Sequence, residues 1–188
     1  MTEQRETYTV EVAGLKRDLP LFEIAPGVRI AVLNILGDTD FVQATARELA
    51  AQLADRKAEV LVTAEAKSIP LVHAMSAEMK LPYVVLRKAY KPYMGNTVQA
   101  ETLSITTGAP QTLYLDEKDR KLISDRHVAL VDDVISTGST LQGMRMIMDK
   151  VGARIVAQAA IFTEGDRAKW SDVIALGHLP VFTASSTG

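Results

Sequence analysis

Short β-branched apolar runs alternate along this chain with segments of helical periodicity. EVLVT, PYVVLRK, HVALV and RIVAQAAIFT have the character of strands, and near-continuous apolar runs are typical of strands buried on both faces of a sheet. VRIAVLNI is predicted as the first of these core strands. Helical patterns follow Asp38-Thr39, start near Pro70, and run from about Ser139 to Val151. This alternation predicts an α/β fold, a mostly parallel central sheet with helices on both faces.

Two regions depart from the alternation. Residues 1–27 contain turn signals at Ala13-Gly14 and Pro26-Gly27 and predict a small strand or hairpin appendage, an N-terminal hood. Residues 88–124 contain TVQAETLSI and QTLYL on either side of TTGAP, which predicts a long hairpin. An excursion of this length from an α/β sheet is usually functional. We therefore expect one domain over residues 1–188, with a flexible hairpin lid at 88–124.

Charge and composition exclude several classes of function. The net charge is −2 and the pI is near 5.9, whereas nucleic-acid binders carry a basic excess. The chain has no cysteine, which excludes disulfides and thiolate zinc sites and favours a reducing compartment. The first residues lack an apolar signal core, and no apolar run approaches the roughly 18 residues of a membrane span. We expect a cytoplasmic protein that binds neither nucleic acid nor membrane.

The stretch VALVDDVISTGST carries the clearest chemistry. In open parallel sheets, ligands bind beyond the carboxyl ends of the strands, where Asp132 and Asp133 are expected. The following turn and helix start offer free backbone N–H groups and the positive end of a helix dipole, and Gly138 permits positive φ and close approach of an anion. No Lys follows the glycine, so this is not a P-loop. The pattern suits a phosphorylated sugar, and the alternative is a hydroxyl N-cap, Ser139 or Thr140, beside solvated acids.

This stretch resembles the phosphoribosyl-pyrophosphate signature of the type I phosphoribosyltransferases. The resemblance implies that Asp132 and Asp133 bind the ribose hydroxyls, and that the 5′-phosphate is held by Ser136, Thr137, Gly138, Ser139 and Thr140. It also implies phosphoribosyl transfer from phosphoribosyl pyrophosphate to a purine-type base, with adenine the first expectation, and release of pyrophosphate. Mg²⁺ would be held through the substrate, with no direct protein ligand, and the protein would be a homodimer.

The segment LVTAEAKSIPLVHAMSAEMKLPYVVLRKAYKPY is similar to the adenine and xanthine enzymes of that family. By this resemblance, the pyrophosphate loop comprises Glu65, Ala66, Lys67 and Ser68, and the cations after the next strand are Arg87, Lys88 and Lys91. A pyrophosphate leaving group needs Lys, Arg or Mg²⁺ to balance its charge. The alternative for Lys67 and Lys91 is that they are ordinary surface lysines.

The base-specific and catalytic patterns of the family are incomplete here. The adenine enzymes carry a proton-transfer Glu in the lid, and SITTG places Thr106 at that position, so the nearby Glu101 is the candidate, with a solvated hairpin residue as the alternative. Asp133 is the second catalytic candidate. Asn34 is a candidate for base recognition by resemblance to the xanthine enzymes, or a turn-forming residue. Glu164 is the other base-binding candidate, although Gly165 stands where those enzymes have Lys.

A rival hypothesis is a non-catalytic regulator that senses phosphoribosyl pyrophosphate. Purine-repressor-type proteins carry this domain behind a DNA-binding domain, and the 27 residues ahead of the first predicted core strand are expected to be too few for one. A sensor acting on a protein partner stays open. A dinucleotide-binding oxidoreductase is disfavoured, because no G-x-G-x-x-G follows any predicted strand.

Overall fold

The computed structural model describes residues 5–103 and 110–183. The strands within these ranges are β1 Thr7–Val12, β2 Leu15–Ala25, β3 Val28–Ala31, β4 Val60–Ala64, β5 Tyr83–Leu86, β6 Val98–Leu103, β7 Pro110–Leu115, β8 His127–Ile135, β9 Arg154–Glu164, β10 Ile174–Leu179 and β11 Val181–Thr183. The α-helices are α1 Thr39–Leu53, α2 Ile69–Met79, α3 Glu117–Ile123 and α4 Ser139–Lys150.

Five strands form the central sheet in the order β10-β9-β8-β4-β5. Every neighbouring pair in it is parallel, which confirms the prediction of a mostly parallel sheet. All five residues of β4 are buried, as expected for a central strand covered on both faces. The carboxyl ends of β4, β5, β8 and β9 therefore lie along one edge.

Helices cover both faces of this sheet, as predicted. On one face, α1 and α2 pack through Phe41, Leu49, Leu71 and Met75. On the other face α4 packs through Met144, Ile147 and Met148, none of which is exposed to solvent. Within the described parts of the chain, no helix is long and apolar enough to cross a membrane.

The hood is an antiparallel sheet of four strands, in the order β1-β2-β3-β11. The predicted turns at Ala13-Gly14 and Pro26-Gly27 connect β1 to β2 and β2 to β3. The assignment of VRIAVLNI to the core sheet is wrong. Only Val28–Ala31 is a strand, and it pairs with β2 and β11. The tight turn at Pro26-Gly27 places β3 next to β2, so the two strands pair antiparallel. The apolar residues that follow β3, Leu33 and Ile35, are buried without strand pairing.

The predicted hairpin is present as β6 and β7, paired antiparallel from Val98↔Leu115 to Leu103↔Pro110. Leu113 and Leu115 are buried in the same cluster as α4, so the base of the hairpin belongs to the core. Residues 88–124 also contain α3, a helix that the charge-rich sequence of this segment does not predict. Asp116 caps this helix by accepting a hydrogen bond from the N–H of Lys118. A lid function for the hairpin stays a prediction.

Candidate functional site

A cavity of about 280 Å³ lies at the carboxyl edge of the central sheet, beneath the hood. Three parts of the chain that are distant in sequence line it. They are the predicted pyrophosphate loop at residues 65–68, the acids Asp132 and Asp133 on β8, and Glu164 at the end of β9. The cavity is also lined by Lys88, Ser136 and Thr140. The fold thus brings most of the predicted site residues into one cavity.

The paired acids lie within β8, because this strand continues to Ile135 instead of ending before Asp132. Asp133 is buried and Asp132 is half-buried. The Ser68 hydroxyl lies 2.6 Å from Oδ1 of Asp132 and 3.1 Å from Oδ1 of Asp133, and accepts a hydrogen bond from the Asp133 N–H. A hydroxyl has one proton, so it donates to one acid at a time. Lys67 adds an ion pair, its Nζ 2.9 Å from Oδ2 of Asp133.

The environment of the site raises the pKa of two of its carboxyl groups. Burial and, after it, the charge of Asp133 raise the pKa of Asp132 to about 7, against an opposing effect of the Ser68 hydrogen bond. Burial also raises the pKa of Glu164, against an opposing effect of Lys67. Strongly perturbed carboxyl groups in a cleft are typical of functional sites. Hydroxyl groups of a sugar are suitable partners, because they donate hydrogen bonds to such acceptors.

The turn from β8 to α4 forms a separate small pocket of about 40 Å³, lined by Ser136, Thr137, Gly138, Ser139 and Thr140 together with their neighbours. Gly138 has φ +80° and is the N-cap of α4, with no side-chain capping bond. The alternative of a hydroxyl N-cap at Ser139 or Thr140 is therefore not observed. The hydroxyls of Thr137 and Ser139 contact each other at 3.1 Å. An uncapped helix N-terminus with hydroxyls beside it fits an anion.

The predicted pyrophosphate loop is connected to the end of β5 through Glu65. Its carboxylate accepts hydrogen bonds from Nε of Arg87 and from the backbone N–H of Lys88, both at 2.6 Å. The bond to Glu65, followed by an interaction with Tyr93, raises the pKa of Arg87. Lys91 is exposed and does not line the cavity, so the cations that face it are Lys67 and Lys88.

Two further candidates, Glu101 and Asn34, are not among the residues that line this cavity. Glu101, on β6, lines a second cleft of about 680 Å³ that it shares with Gln142, Trp170 and the turn at residues 136–140, which is called the phosphate turn after its predicted role. Asn34 is exposed, and its Oδ1 accepts a hydrogen bond from the N–H of Leu36, which is the turn arrangement. Thr106 lies outside the described residues.

Two features of the site are not predicted by the sequence. The hood residues Ile30, Ala31 and Val32 line the cavity, although their composition favours a strand of the core sheet. Trp170 contacts the phosphate turn, although its sequence context indicates ordinary packing. Its segment shows no strand or helix pattern, so the only available signal is that it is the single tryptophan of the chain.

A family model described as the phosphoribosyl transferase domain matches residues 35–176. Among curated proteins, the chain is 34% identical over 143 residues to a hypoxanthine/guanine phosphoribosyltransferase of Methanococcus voltae, covering 76% of this chain and 69% of that protein. It is 30% identical over 132 residues to the purine biosynthesis transcriptional repressor PurR of Bacillus subtilis. That match covers 70% of this chain but only 46% of the repressor, so the chain spans about half of that relative.

Solved structures show the same fold. An adenine phosphoribosyltransferase from Thermoanaerobacter pseudethanolicus superposes with a TM-score of 0.66 at 18% identity, over 92% of this chain and 95% of that one. An adenine enzyme from Giardia lamblia, complexed with 9-deazaadenine, gives 0.66 at 17% identity, over 92% and 93% of the two chains. The α/β fold with a parallel sheet is confirmed by these likenesses.

Proposed function

The chain belongs to the phosphoribosyl transferase domain family, and on this premise we propose that it transfers a phosphoribosyl group from phosphoribosyl pyrophosphate to a purine-type base. The products would be a nucleotide and pyrophosphate. One observation carries this proposal: two adjacent acids, an uncapped helix N-terminus and a cation-bearing loop converge at one sheet edge. These three elements match the hydroxyls, the 5′-phosphate and the pyrophosphate of one substrate.

Each part of the substrate has chemically suited partners. The carboxylates of Asp132 and Asp133 accept hydrogen bonds from the ribose hydroxyls. The N–H groups at the start of α4 and the hydroxyls of residues 136–140 hold the 5′-phosphate. Lys67 and Lys88 face the pyrophosphate, with Glu65, Ala66 and Ser68 shaping its loop and Arg87 supporting it through Glu65. Lys91 does not line the cavity, and its contact with the pyrophosphate is proposed from the resemblance alone.

Among the described residues, no group of three or more His, Cys, Asp or Glu side chains could hold a metal ion. Pyrophosphate oxygens are ligands that Mg²⁺ prefers, so we propose that the ion arrives with the substrate and is held through it. When bound, it neutralises charge on the leaving group. The chain's own contribution is to orient the sugar and to stabilise it as it becomes cationic, and the carboxylate of Asp133, which lines the cavity, is the charge that we propose for this role.

We propose Glu101 as the proton-transfer residue and Glu164 and Asn34 as base contacts. Glu101 borders the phosphate turn across the second cleft, and Glu164 lies in the main cavity. Adenine is the first expectation for the base. Hypoxanthine or guanine is the second, because the Methanococcus voltae relative is named a hypoxanthine/guanine phosphoribosyltransferase. A cytoplasmic homodimer is proposed from the resemblance and from the absence of cysteine.

The test is an assay of pyrophosphate release from phosphoribosyl pyrophosphate and Mg²⁺ with adenine, hypoxanthine, guanine and xanthine in separate reactions. Release that requires one of these bases supports the proposal and identifies the base. Asp132→Asn with Asp133→Asn serves as the matched control for contaminating activity. Release that is unchanged in this double variant would contradict the proposed site.

A sensor of phosphoribosyl pyrophosphate is the second candidate, favoured by the 30% identity to a purine repressor and by Thr106 at the expected lid Glu position. A sensor binds phosphoribosyl pyrophosphate and releases no pyrophosphate with any base. Calorimetric titration alongside the release assay distinguishes the two functions, because both require binding and only the enzyme requires turnover.

A further inference from the structure

The ring of Trp170 lies directly against Gly138 of the phosphate turn. A Cβ atom placed on Gly138 would lie 2.6 Å from Cη2 of Trp170 and 3.3 Å from Cζ3. Real Cβ atoms essentially never approach that closely, so the indole occupies the space that any larger side chain would need. The turn and the ring are therefore in close contact at the residue with φ +80°.

The ring is fixed at its other end by the central sheet. Its Nε1–H donates a hydrogen bond of 3.1 Å to the backbone carbonyl of Glu164, the last residue of β9. The short 3-10 turn that carries it, Arg167–Trp170, begins at Asp166, whose side chain accepts a hydrogen bond from the N–H of Ala168. The ring also packs against the apolar cluster around α4. The indole position is thus set by the end of β9 and not by the turn that it contacts.

Trp170 contacts the phosphate turn from outside the pocket for the anion. It does not line the pocket of about 40 Å³ formed by residues 136–140 and their neighbours. It lines the adjoining cleft together with Gly138 and Ser139. A ligand in the small pocket would therefore contact the phosphate turn, and the ring would support that turn from behind.

We propose that Trp170 is a positioning residue that holds the phosphate turn in the conformation that binds the 5′-phosphate. Glycine populates positive and negative φ about equally, so Gly138 alone does not select φ +80°. The indole reduces the space available to the other conformations, and the N–H groups at the start of α4 stay directed at one point. This inference rests on the proposed function, because it takes the turn as the phosphate site.

The first experiment compares the binding of two fragments of the substrate by calorimetry. Ribose 5-phosphate probes the turn, and inorganic pyrophosphate with Mg²⁺ probes the loop at residues 65–68. We expect Trp170→Ala to weaken ribose 5-phosphate binding by about 10- to 100-fold, the effect of misplacing binding groups by about 1 Å. Pyrophosphate binding should stay within about threefold of wild type, the uncertainty of such comparisons. Trp170→Phe should recover most of the affinity, since it restores an aromatic wall.

Val173→Ala is the matched control for loss of packing. Val173 belongs to the same partly buried apolar surface, and its N–H donates to the carbonyl of Trp170. Its side chain is not among those nearest Gly138. We expect this variant to bind both fragments as wild type does. If it weakens ribose 5-phosphate binding as much as Trp170→Ala does, the effect is general packing and the proposal is overturned.

The second experiment needs no variant, because Trp170 is the only tryptophan. Saturating ribose 5-phosphate should change the tryptophan emission of the wild-type protein, and saturating pyrophosphate should not. An unchanged emission in a protein that calorimetry shows to be saturated with ribose 5-phosphate overturns the proposal. If the wild-type protein binds no ribose 5-phosphate at all, both the role of Trp170 and the proposed function are overturned. Failure of the Trp170 proposal alone is thus distinguished from failure of the proposed function by whether the ligand binds.

Discussion

The two loops of the candidate site, at residues 65–68 and 136–140, differ in the partners that their polar groups contact. In the first loop, the Ser68 hydroxyl lies within hydrogen-bond distance of both acids, Lys67 forms an ion pair with Asp133, and Glu65 binds Arg87. In the second, Gly138 begins α4 without a side-chain cap, and the polar contacts are local ones between Thr137 and Ser139. On the proposed function, pyrophosphate would exchange bonds to other parts of the chain in the first loop, whereas the 5′-phosphate would disturb only contacts within the turn.

On the proposed function, this difference gives the two loops separate tasks. A preformed turn would contribute affinity, because few groups have to be reorganised on binding. A loop whose side chains contact Asp132 and Asp133 would couple departure of pyrophosphate to the state of those acids. The following predictions test this division, beginning with the largest expected effect.

Gly138→Val should abolish ribose 5-phosphate binding. A β-branched residue disfavours φ +80°, and its Cβ would overlap the Trp170 ring. We expect a loss of at least about 10²-fold, measured by calorimetry. Gly14→Val is the matched control, because Gly14 also has positive φ but no atom lies within 4 Å of where its Cβ would be. Equal losses in the two variants would contradict a special role for the turn.

Glu101→Gln should lower kcat by roughly 10²- to 10⁴-fold, the usual effect of removing a general acid or base. The affinity for phosphoribosyl pyrophosphate should change little, because Glu101 lies on the hairpin and not in either loop. Stopped-flow or steady-state pyrophosphate release measures kcat, and calorimetry measures affinity. Wild-type kcat in this variant would transfer the role to Asp133 or Glu164.

Asp132→Asn and Asp133→Asn should each weaken phosphoribosyl pyrophosphate binding by about 1.5–3 kcal/mol, the effect of a hydrogen bond to a charged group. The loss should be larger for Asp133, because this substitution also breaks the ion pair with Lys67. Inorganic phosphate binding at the turn should be retained, and competition titrations measure it. Wild-type affinity in both variants would remove the acids from the ribose site.

The smallest effect concerns stability and pH. The pKa of Asp132 is about 7 in the folded protein and near 3.9 in an unfolded chain. The folded state therefore keeps a proton that the unfolded chain releases, so the contribution of Asp132 to stability is complete below about pH 4 and is lost as pH rises through about 7. Asp132→Asn cannot ionise and should gain stability relative to wild type between about pH 5 and 8.

Because Asp132 is only half-buried, we expect a gain on the order of 1–2 kcal/mol after allowing for solvent screening. In a protein of this size that is a Tm increase of roughly 2–8 °C at about pH 8. Differential scanning calorimetry at the two ends of this pH range measures it. A difference in Tm between variant and wild type that does not depend on pH would contradict the raised pKa.

The strand, turn and helix that carry the acids and the turn at residues 136–140 could be predicted because they are contiguous in the sequence. Asp132, Gly138 and the start of α4 occur within one strand-turn-helix unit, whose local signals are sufficient. The strand in VRIAVLNI could not be assigned to the right sheet, because its apolar β-branched composition suits a strand of either sheet. Its pairing with β11 joins residues that are far apart in the sequence, and no local pattern can show it. Gly138 precedes β9 in the sequence and Trp170 follows it, so no local sequence pattern predicts their contact.

Pairing of β11 with β3 has a consequence for the order in which the protein forms during synthesis. Val181 pairs with Ile30, so the last strand of the hood is made after about 150 further residues have been added to the chain. At about 5–20 residues per second, this interval is roughly 8–30 s. During this interval the strands of the central sheet can pair, while β3, the hood strand that lines the cavity, has one edge unpaired. The elements at the carboxyl edge of the sheet would thus come together before the hood that covers the cavity is complete.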